Sequence, residues 1–106
     1  MSPVDSFPPS ERHARQWLRE AAEGARRLLF TKHAEDRMRQ RQIGRRQVLQ
    51  VLRTGTFSEP LHQDVTGDWR CSVTGFHAGM HLTVGVVLKQ KEGGAWVIVA
   101  TAFAGE

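Results

Sequence analysis

The spacing of apolar residues changes at Gly55, and this change constrains the fold more than any other feature of the chain. Before Gly55, apolar residues recur every three or four positions, which is typical of helices that bury one face. After Gly55 they alternate with polar residues, which is typical of strands. Helices followed by sequential strands predict an α+β fold, with the helices packed on one face of a three- to four-stranded antiparallel sheet.

The helical half is predicted to contain three helices, over residues 10–28, 32–42 and 45–53. Ser10 and Thr31 are suitable N-caps for the first two helices, because their hydroxyl oxygens accept hydrogen bonds from free backbone N–H groups. Gly44 is expected to end the second helix, since glycine readily adopts the positive φ of a C′ position.

The second half is predicted to contain a short edge strand over 56–60, a polar loop over 61–67 and strands near 69–74, 80–88 and 95–103. The last strand is apolar on both faces and is therefore expected to be central in the sheet. The predicted organisation is a flexible lead-in and a single domain, divided as follows: lead-in 1–9, domain 10–106, accessory helix 10–29, helical basic motif 30–55 and antiparallel meander 56–104.

Composition excludes three classes: a membrane protein, a disulfide-stabilised mini-protein and a multidomain enzyme. A chain of 106 residues with 40% hydrophobic residues can build the core of one domain without metals or disulfides. The single cysteine, Cys71, excludes an internal disulfide and fits a reducing compartment. No apolar run approaches the roughly 18 residues of a membrane helix, and the N-terminus lacks a signal-peptide pattern. We therefore expect a cytoplasmic protein.

Positive charge is concentrated in the helical half. Seven basic and two acidic residues lie between Lys32 and Arg53, whereas the whole chain has a net charge of +4. Twelve of the fifteen basic residues are arginines, whose planar guanidinium groups suit phosphate oxygens. A solvated helix face would also explain this charge, but the segment is a candidate nucleic-acid surface.

His33, Arg37 and Arg41 are spaced four residues apart and therefore share one face of the second predicted helix. An imidazole can move a proton near neutral pH, and guanidinium groups can stabilise charge on phosphoryl oxygens. This combination suits phosphate chemistry, although an arginine-rich helix can produce it by chance.

Other candidate residues are weaker. A zinc set of His62, Cys71, His77 and His81 can be drawn, but its spacing matches no compact metal motif, so no metal is predicted. Cys71 is expected to be a small core residue. Tryptophans can stack on bases, but Trp69 and Trp96 lie in predicted strands, where aromatic residues are more often part of the core.

A longer pattern includes the second helix, and its residues are Thr31, Lys32, His33, Ala34, Arg37, Met38, Arg41, Ile43, Val48, Leu52 and Gly55. This pattern resembles the bacterial domain-of-unknown-function family 4258, and the strand from Val97 to Phe103 is similar to the last strand of that family. The resemblance covers about residues 30–103. It implies a compact α+β fold related to the RelE- and BrnT-like ribonuclease toxins, which are RelE/barnase-like in architecture.

By motif position, the resemblance makes His33, Arg37, Arg41 and Thr101 the candidate catalytic residues. Phe103 departs from the family, because many members have a hydroxylated aromatic ring at that position. Members occur as small toxin-like proteins and as C-terminal tips of polymorphic toxins that are delivered into a target cell. The resemblance therefore implies an immunity protein or antitoxin as a partner, and the positive charge of the helical half implies that this partner is acidic.

The sequence as a whole predicts a toxin domain that cleaves RNA with no metal or cofactor. In this hypothesis the ribose 2′-hydroxyl attacks the adjacent phosphate, His33 moves the proton, Arg37 and Arg41 stabilise the phosphorane, and Thr101 positions the substrate. The RNA backbone would be bound by Lys32, Arg39, Arg45, Arg46 and Arg70. Two alternatives remain open: a non-catalytic nucleic-acid-binding module, and a domain that docks on an acidic protein.

Overall fold

The computed structural model describes residues 7–77 and 79–105, and it is an α+β fold with three helices and one five-stranded mixed sheet. The elements are α1 (Glu11–Ala22), β1 (Leu28–Phe30), α2 (Lys32–Arg41), α3 (Arg45–Thr54), β2 (Thr56–Gln63), β3 (Trp69–His77), β4 (Met80–Lys91) and β5 (Gly94–Gly105). The order of strands in the sheet is β1-β5-β4-β3-β2. The predicted α+β class is confirmed, but the prediction of a three- to four-stranded antiparallel sheet is wrong.

The additional strand is β1, which pairs in parallel with β5. The first helix was predicted to reach residue 28, but α1 ends at Ala22 and Gly24 adopts a φ of 83°. The chain is then free to extend, and Leu28 and Phe30 pack against the core from β1. Parallel strands need a long connection, which the chain between β1 and β5 supplies.

The boundary between α2 and α3 also differs from the prediction. Thr31 is the N-cap of α2, as predicted, and its side chain accepts a hydrogen bond from the backbone N–H of Ala34. The left-handed residue that ends α2 is Gln42, with a φ of 57°, rather than Gly44. Gly44 has a φ of −84° and is instead the N-cap of α3, because only one residue, Ile43, separates the two caps.

The antiparallel part of the sheet is a meander of β2, β3, β4 and β5. The edge strand β2 continues to Gln63, beyond the predicted end at Pro60, because His62 and Gln63 pair with Arg70 and Trp69. The first three residues of the predicted polar loop over 61–67 are therefore strand, and the rest form a tight turn. β5 is central at residues 97–99, as predicted, where both β1 and β4 pair with it.

The core lies between the helices and one face of the sheet. α1 packs on α3, α3 packs on β3 and β4, and α2 packs on β5. The strands contribute alternate residues to this core, including Val73, Val84, Val86, Val97 and Val99, all of which are at most 1% exposed. Within the described ranges, no helix is long and apolar enough to cross a membrane.

The other side of the sheet has no helix packed on it, and we call it the open face. Its residues are identified by cross-strand pairing and alternation with the core residues. They are Thr56, Glu59, His62, Arg70, Ser72, Thr74, Phe76, His81, Thr83, Gly85, Val87, Lys89, Trp96, Ile98, Thr101 and Phe103. The predicted lead-in falls outside the described residues over 1–6, as does Ala78 in the β3–β4 turn.

Candidate functional site

The first turn of α2 is attached to β5 through Thr31. The Thr31 backbone N–H donates to the Val99 carbonyl oxygen at 3.0 Å, and the Thr31 hydroxyl donates to the Ala100 carbonyl oxygen at 3.2 Å. On the same helix, Ala34 and Met38 are buried in the core. The sheet and the core therefore fix the position and the rotation of α2.

His33, Arg37 and Arg41 are all exposed on α2. Within the described part of the chain, no hydrogen bond or ion pair engages any of the three side chains. Helical residues four positions apart have Cβ atoms about 6 Å apart, so the three side chains form a row roughly 12 Å long. We call these three residues the α2 row. Its imidazole and guanidinium groups are free to contact a polyanion.

Thr101, the fourth predicted catalytic residue, is half-buried on the open face. It pairs with Gly85 across the sheet, and a Cβ atom on Gly85 would lie 2.9 Å from the Thr101 Cγ2. The residue before Thr101 is Ala100, whose carbonyl oxygen accepts a hydrogen bond from the Thr31 hydroxyl. The first turn of α2 is therefore attached to β5 one residue before Thr101. No hydrogen bond joins Thr101 to the α2 row in the described structure.

Some of the residues predicted to bind the RNA backbone already have partners within the described part of the protein, and others do not. Asp36 forms ion pairs with Arg39 at 3.0 Å and with Lys32 at 3.4 Å. Hydrogen bonds from Arg39 and Lys32 lower the pKa of Asp36 below its usual value. The Arg45 guanidinium lies 4.2 Å from the centroid of the Phe30 ring, whereas Arg46 is exposed.

Arg70 lies apart from the helical cations, on the open face, and its guanidinium binds the carboxylate of Asp64. Asp64 also accepts hydrogen bonds from the Thr66 hydroxyl, at 2.6 Å, and from the backbone N–H of Asp68, at 3.0 Å. The hydrogen bonds from Thr66 and Arg70 lower the pKa of Asp64 well below its usual range. The side chain of Arg70 is therefore bound to the β2–β3 turn, and its charge is balanced there.

The weaker candidates include a buried cysteine and two histidines of the sheet. Cys71 is buried in the core, as predicted, and burial raises the pKa of its thiol to about 12. The His62 Nδ1 lies 2.9 Å from the Pro60 carbonyl oxygen. The described residues contain no group of three or more metal-ligating side chains, while the side chain of His77 lies outside the description.

The two strand tryptophans occupy opposite faces of the sheet. Trp69 packs against the core, as predicted. Trp96 lies on the open face rather than in the expected core, and Arg27 and Lys91 lie close to its ring. Sequence reasoning missed this cluster because β1 was not predicted, and the pairing of β1 with β5 places Arg27 beside Trp96. The apolar run Leu28-Leu29-Phe30 is the signal that could have revealed it.

Comparison with known proteins finds one family. The family described as Domain of unknown function (DUF4258) matches residues 30–103. The matched range runs from the last residue of β1 into β5, so it contains α2 and the meander and leaves α1 outside. No curated protein matches the chain, and no solved structure matches it.

Proposed function

The chain belongs to the DUF4258 family, and on this premise we propose that it is a toxin-like domain that cleaves RNA without a metal ion. The observation that carries the proposal is the exposure of His33, Arg37 and Arg41 in one row, on a helix that the core holds in place. Two guanidinium groups beside an unengaged imidazole suit a phosphodiester.

The proposed reaction needs only groups that the protein, RNA and water supply. His33 takes the proton from the ribose 2′-hydroxyl as the 2′-oxygen forms a bond to the adjacent phosphorus. The bond from phosphorus to the 5′-oxygen breaks, and water supplies the proton to that oxygen. Arg37 and Arg41 stabilise the negative charge that builds on the phosphoryl oxygens. The products are a 2′,3′-cyclic phosphate and a 5′-hydroxyl.

We also propose that the fold is related to the RelE-like and barnase-like toxins, and that the domain acts in a cytoplasm. Helices packed on one face of an antiparallel meander support the relation. The parallel strand β1 is a departure from the fold that the resemblance implies.

A non-catalytic RNA-binding module is the second candidate, and one observation favours it. A general base is ordinarily oriented by another polar group, but no described residue forms a hydrogen bond with the His33 side chain. In a binding module the α2 row would contact phosphates, and the RNA would stay intact.

Single replacements of His33, Arg37 and Arg41 by alanine test the catalytic proposal. We expect each to lower the rate of RNA cleavage by about 10²–10⁴-fold for His33 and about 10²–10³-fold for the arginines. Because the three side chains are exposed, the free energy of unfolding should change by no more than about 0.5 kcal/mol.

Met38→Ala is the matched control on the same helix. Met38 is 9% exposed, so its truncation should destabilise the fold by about 2–5 kcal/mol and leave the chemistry of the folded protein unchanged. RNA cleavage and melting curves are measured for all four variants. A His33→Ala protein that melts early and cleaves RNA at the normal rate would show that His33 is structural.

A further inference from the structure

Trp96 lies outside the basic helical segment and holds two cations. The Cζ atom of Arg27 lies 5.0 Å from the ring centroid, and the Nζ atom of Lys91 lies 5.6 Å from it. Arg27 precedes β1, Lys91 ends β4, and Trp96 lies near the start of β5. Three separate segments of the chain therefore contribute to one cluster at the end of the open face.

The neighbouring cations differ from Arg27 and Lys91 in having carboxylate partners. Lys89 pairs with Asp68 at 3.4 Å, and Arg70 pairs with Asp64. Within the described structure, no carboxylate pairs with Arg27 or Lys91. Both cations are attracted to the same indole ring, which places two like charges in one cluster. An anionic group bound between them would relieve their repulsion, which makes the cluster a candidate phosphate site.

The cluster lies at one end of a row of residues on the open face of β5. Trp96, Ile98, Thr101 and Phe103 lie along β5 on the open face, and Phe103 is 45% exposed. The path from Trp96 to Phe103 is roughly 23 Å at about 3.3 Å per residue. It passes Ala100, whose carbonyl oxygen accepts the Thr31 hydroxyl, while α2 itself packs on the other face of the sheet. Beside it on β4, Gly85 is buried, and the Thr101 Cγ2 lies over the place that a side chain at Gly85 would take.

We propose that an unpaired RNA strand lies along β5 on the open face, with a base on the Trp96 ring and phosphates bound by Arg27 and Lys91. This inference rests on the proposed function. It adds single-stranded RNA as the substrate class and the open face as a second surface that contacts the RNA. Aromatic side chains on a sheet can stack on bases that are free of pairing partners, whereas the bases of a duplex are stacked on each other. Single strands are therefore preferred over duplexes.

The test measures binding of a fluorescein-labelled 2′-O-methyl RNA of 12 uridines, which lacks the 2′-hydroxyl that cleavage needs. Fluorescence anisotropy gives its Kd, and the same oligonucleotide annealed to its complement is the duplex probe. We expect Trp96→Ala to weaken binding of the single strand about tenfold, within the range reported for loss of one stacked base. Trp96→Phe keeps a stacking ring and should restore most of that loss.

Charge variants avoid any effect of Trp96→Ala on folding. Arg27→Gln and Lys91→Gln should each weaken binding and reduce the salt dependence of log Kd by about 0.7, the value for one phosphate contact with a single strand. Arg12→Gln is the matched control, because Arg12 is an exposed cation on α1, on the other side of the sheet. Its Kd and its salt dependence should equal those of the wild type.

Two results would overturn the inference: folded Trp96→Ala, Arg27→Gln and Lys91→Gln proteins that bind as the wild type does, or a duplex that binds as tightly as the single strand. The first result would show that the Trp96 cluster does not bind RNA, and a protein partner would then be the alternative for the open face. If these variants behave as expected but the protein cleaves no RNA, the binding site stands and the proposed function fails. If RNA is cleaved and the variants bind normally, the inference alone fails.

Discussion

Carboxylates divide the cations of this protein into two groups. Asp36 binds Lys32 and Arg39, and Asp64 binds Arg70. Arg37, Arg41 and Arg46 are exposed and have no carboxylate partner among the described residues. A polyanion that approaches α2 and α3 therefore meets these free cations first, because contacting the others means competing with an existing ion pair.

Asp64 makes stability depend on pH. Its pKa in the folded protein is lowered because Thr66 and Arg70 donate hydrogen bonds to the ionised carboxylate. The resulting stabilisation is fully present above the unfolded pKa of about 3.9, and it is lost as the pH falls toward the folded value. We expect the melting temperature to fall as the pH is lowered below about 4, and to fall less in Asp64→Asn. Equal pH dependence in the two proteins would contradict this prediction.

At the scale of elements, the attachment of α2 to the sheet depends on Thr31. Its hydroxyl accepts from the Ala34 N–H at 3.0 Å and donates to the Ala100 carbonyl oxygen. Thr31→Ala should cost about 1–2 kcal/mol of stability, the upper part of the range for an N-cap. It should also lower RNA cleavage, because the α2 row would no longer be fixed beside β5.

Two variants control for a simple loss of stability. Ser10→Ala removes the N-cap of α1 and should destabilise by about 1 kcal/mol without affecting cleavage by the folded protein. Thr31→Ser keeps the hydroxyl and should restore cleavage. Chemical denaturation and cleavage rates are measured for all three proteins. If Thr31→Ala and Ser10→Ala have the same effect on cleavage, the attachment of α2 is not functional.

Helix caps and the spacing of apolar residues predicted the elements that neighbouring residues in the sequence determine. The Thr31 cap and the apolar spacing located α2, and alternation located the buried residues of β4. The strand β1 was missed because three residues carry little periodicity, and its pairing with β5 lies about 70 residues away in sequence. The end of α2 was misplaced because Gln42, and not a glycine, adopts the left-handed conformation.

In the candidate site, too, the features that depend on local sequence were predictable and those that depend on distant pairing were not. The exposure of His33, Arg37 and Arg41 follows from the burial of Ala34 and Met38 on one helix. The balance of charge at Arg70 was not predicted, although Asp64 lies only six residues before it, because residues 61–67 were predicted to form a polar loop without defined contacts. The Trp96 cluster depends on strand pairing between distant segments, which no local pattern shows.

For the whole molecule, the distribution of charge predicts how a neutralising protein would bind. The net positive charge lies between residues 32 and 53, on helices whose basic residues are largely exposed. We predict that such a partner is acidic and covers residues 32–46, since complementary charge accelerates association. Arg46→Glu should slow association, and Arg12→Glu on α1 should slow it much less. A complex in which α2 stays exposed to solvent would refute the prediction.

The chemical ends of RNA products test the central claim most directly. Purified protein is incubated with a defined single-stranded RNA, with and without EDTA, and the ends are identified by mass spectrometry. Attack by the 2′-hydroxyl predicts 2′,3′-cyclic phosphate and 5′-hydroxyl ends, formed at the same rate with and without the chelator. Intact RNA, products with 5′-phosphate ends, or loss of cleavage in EDTA would contradict the proposed metal-independent reaction at His33.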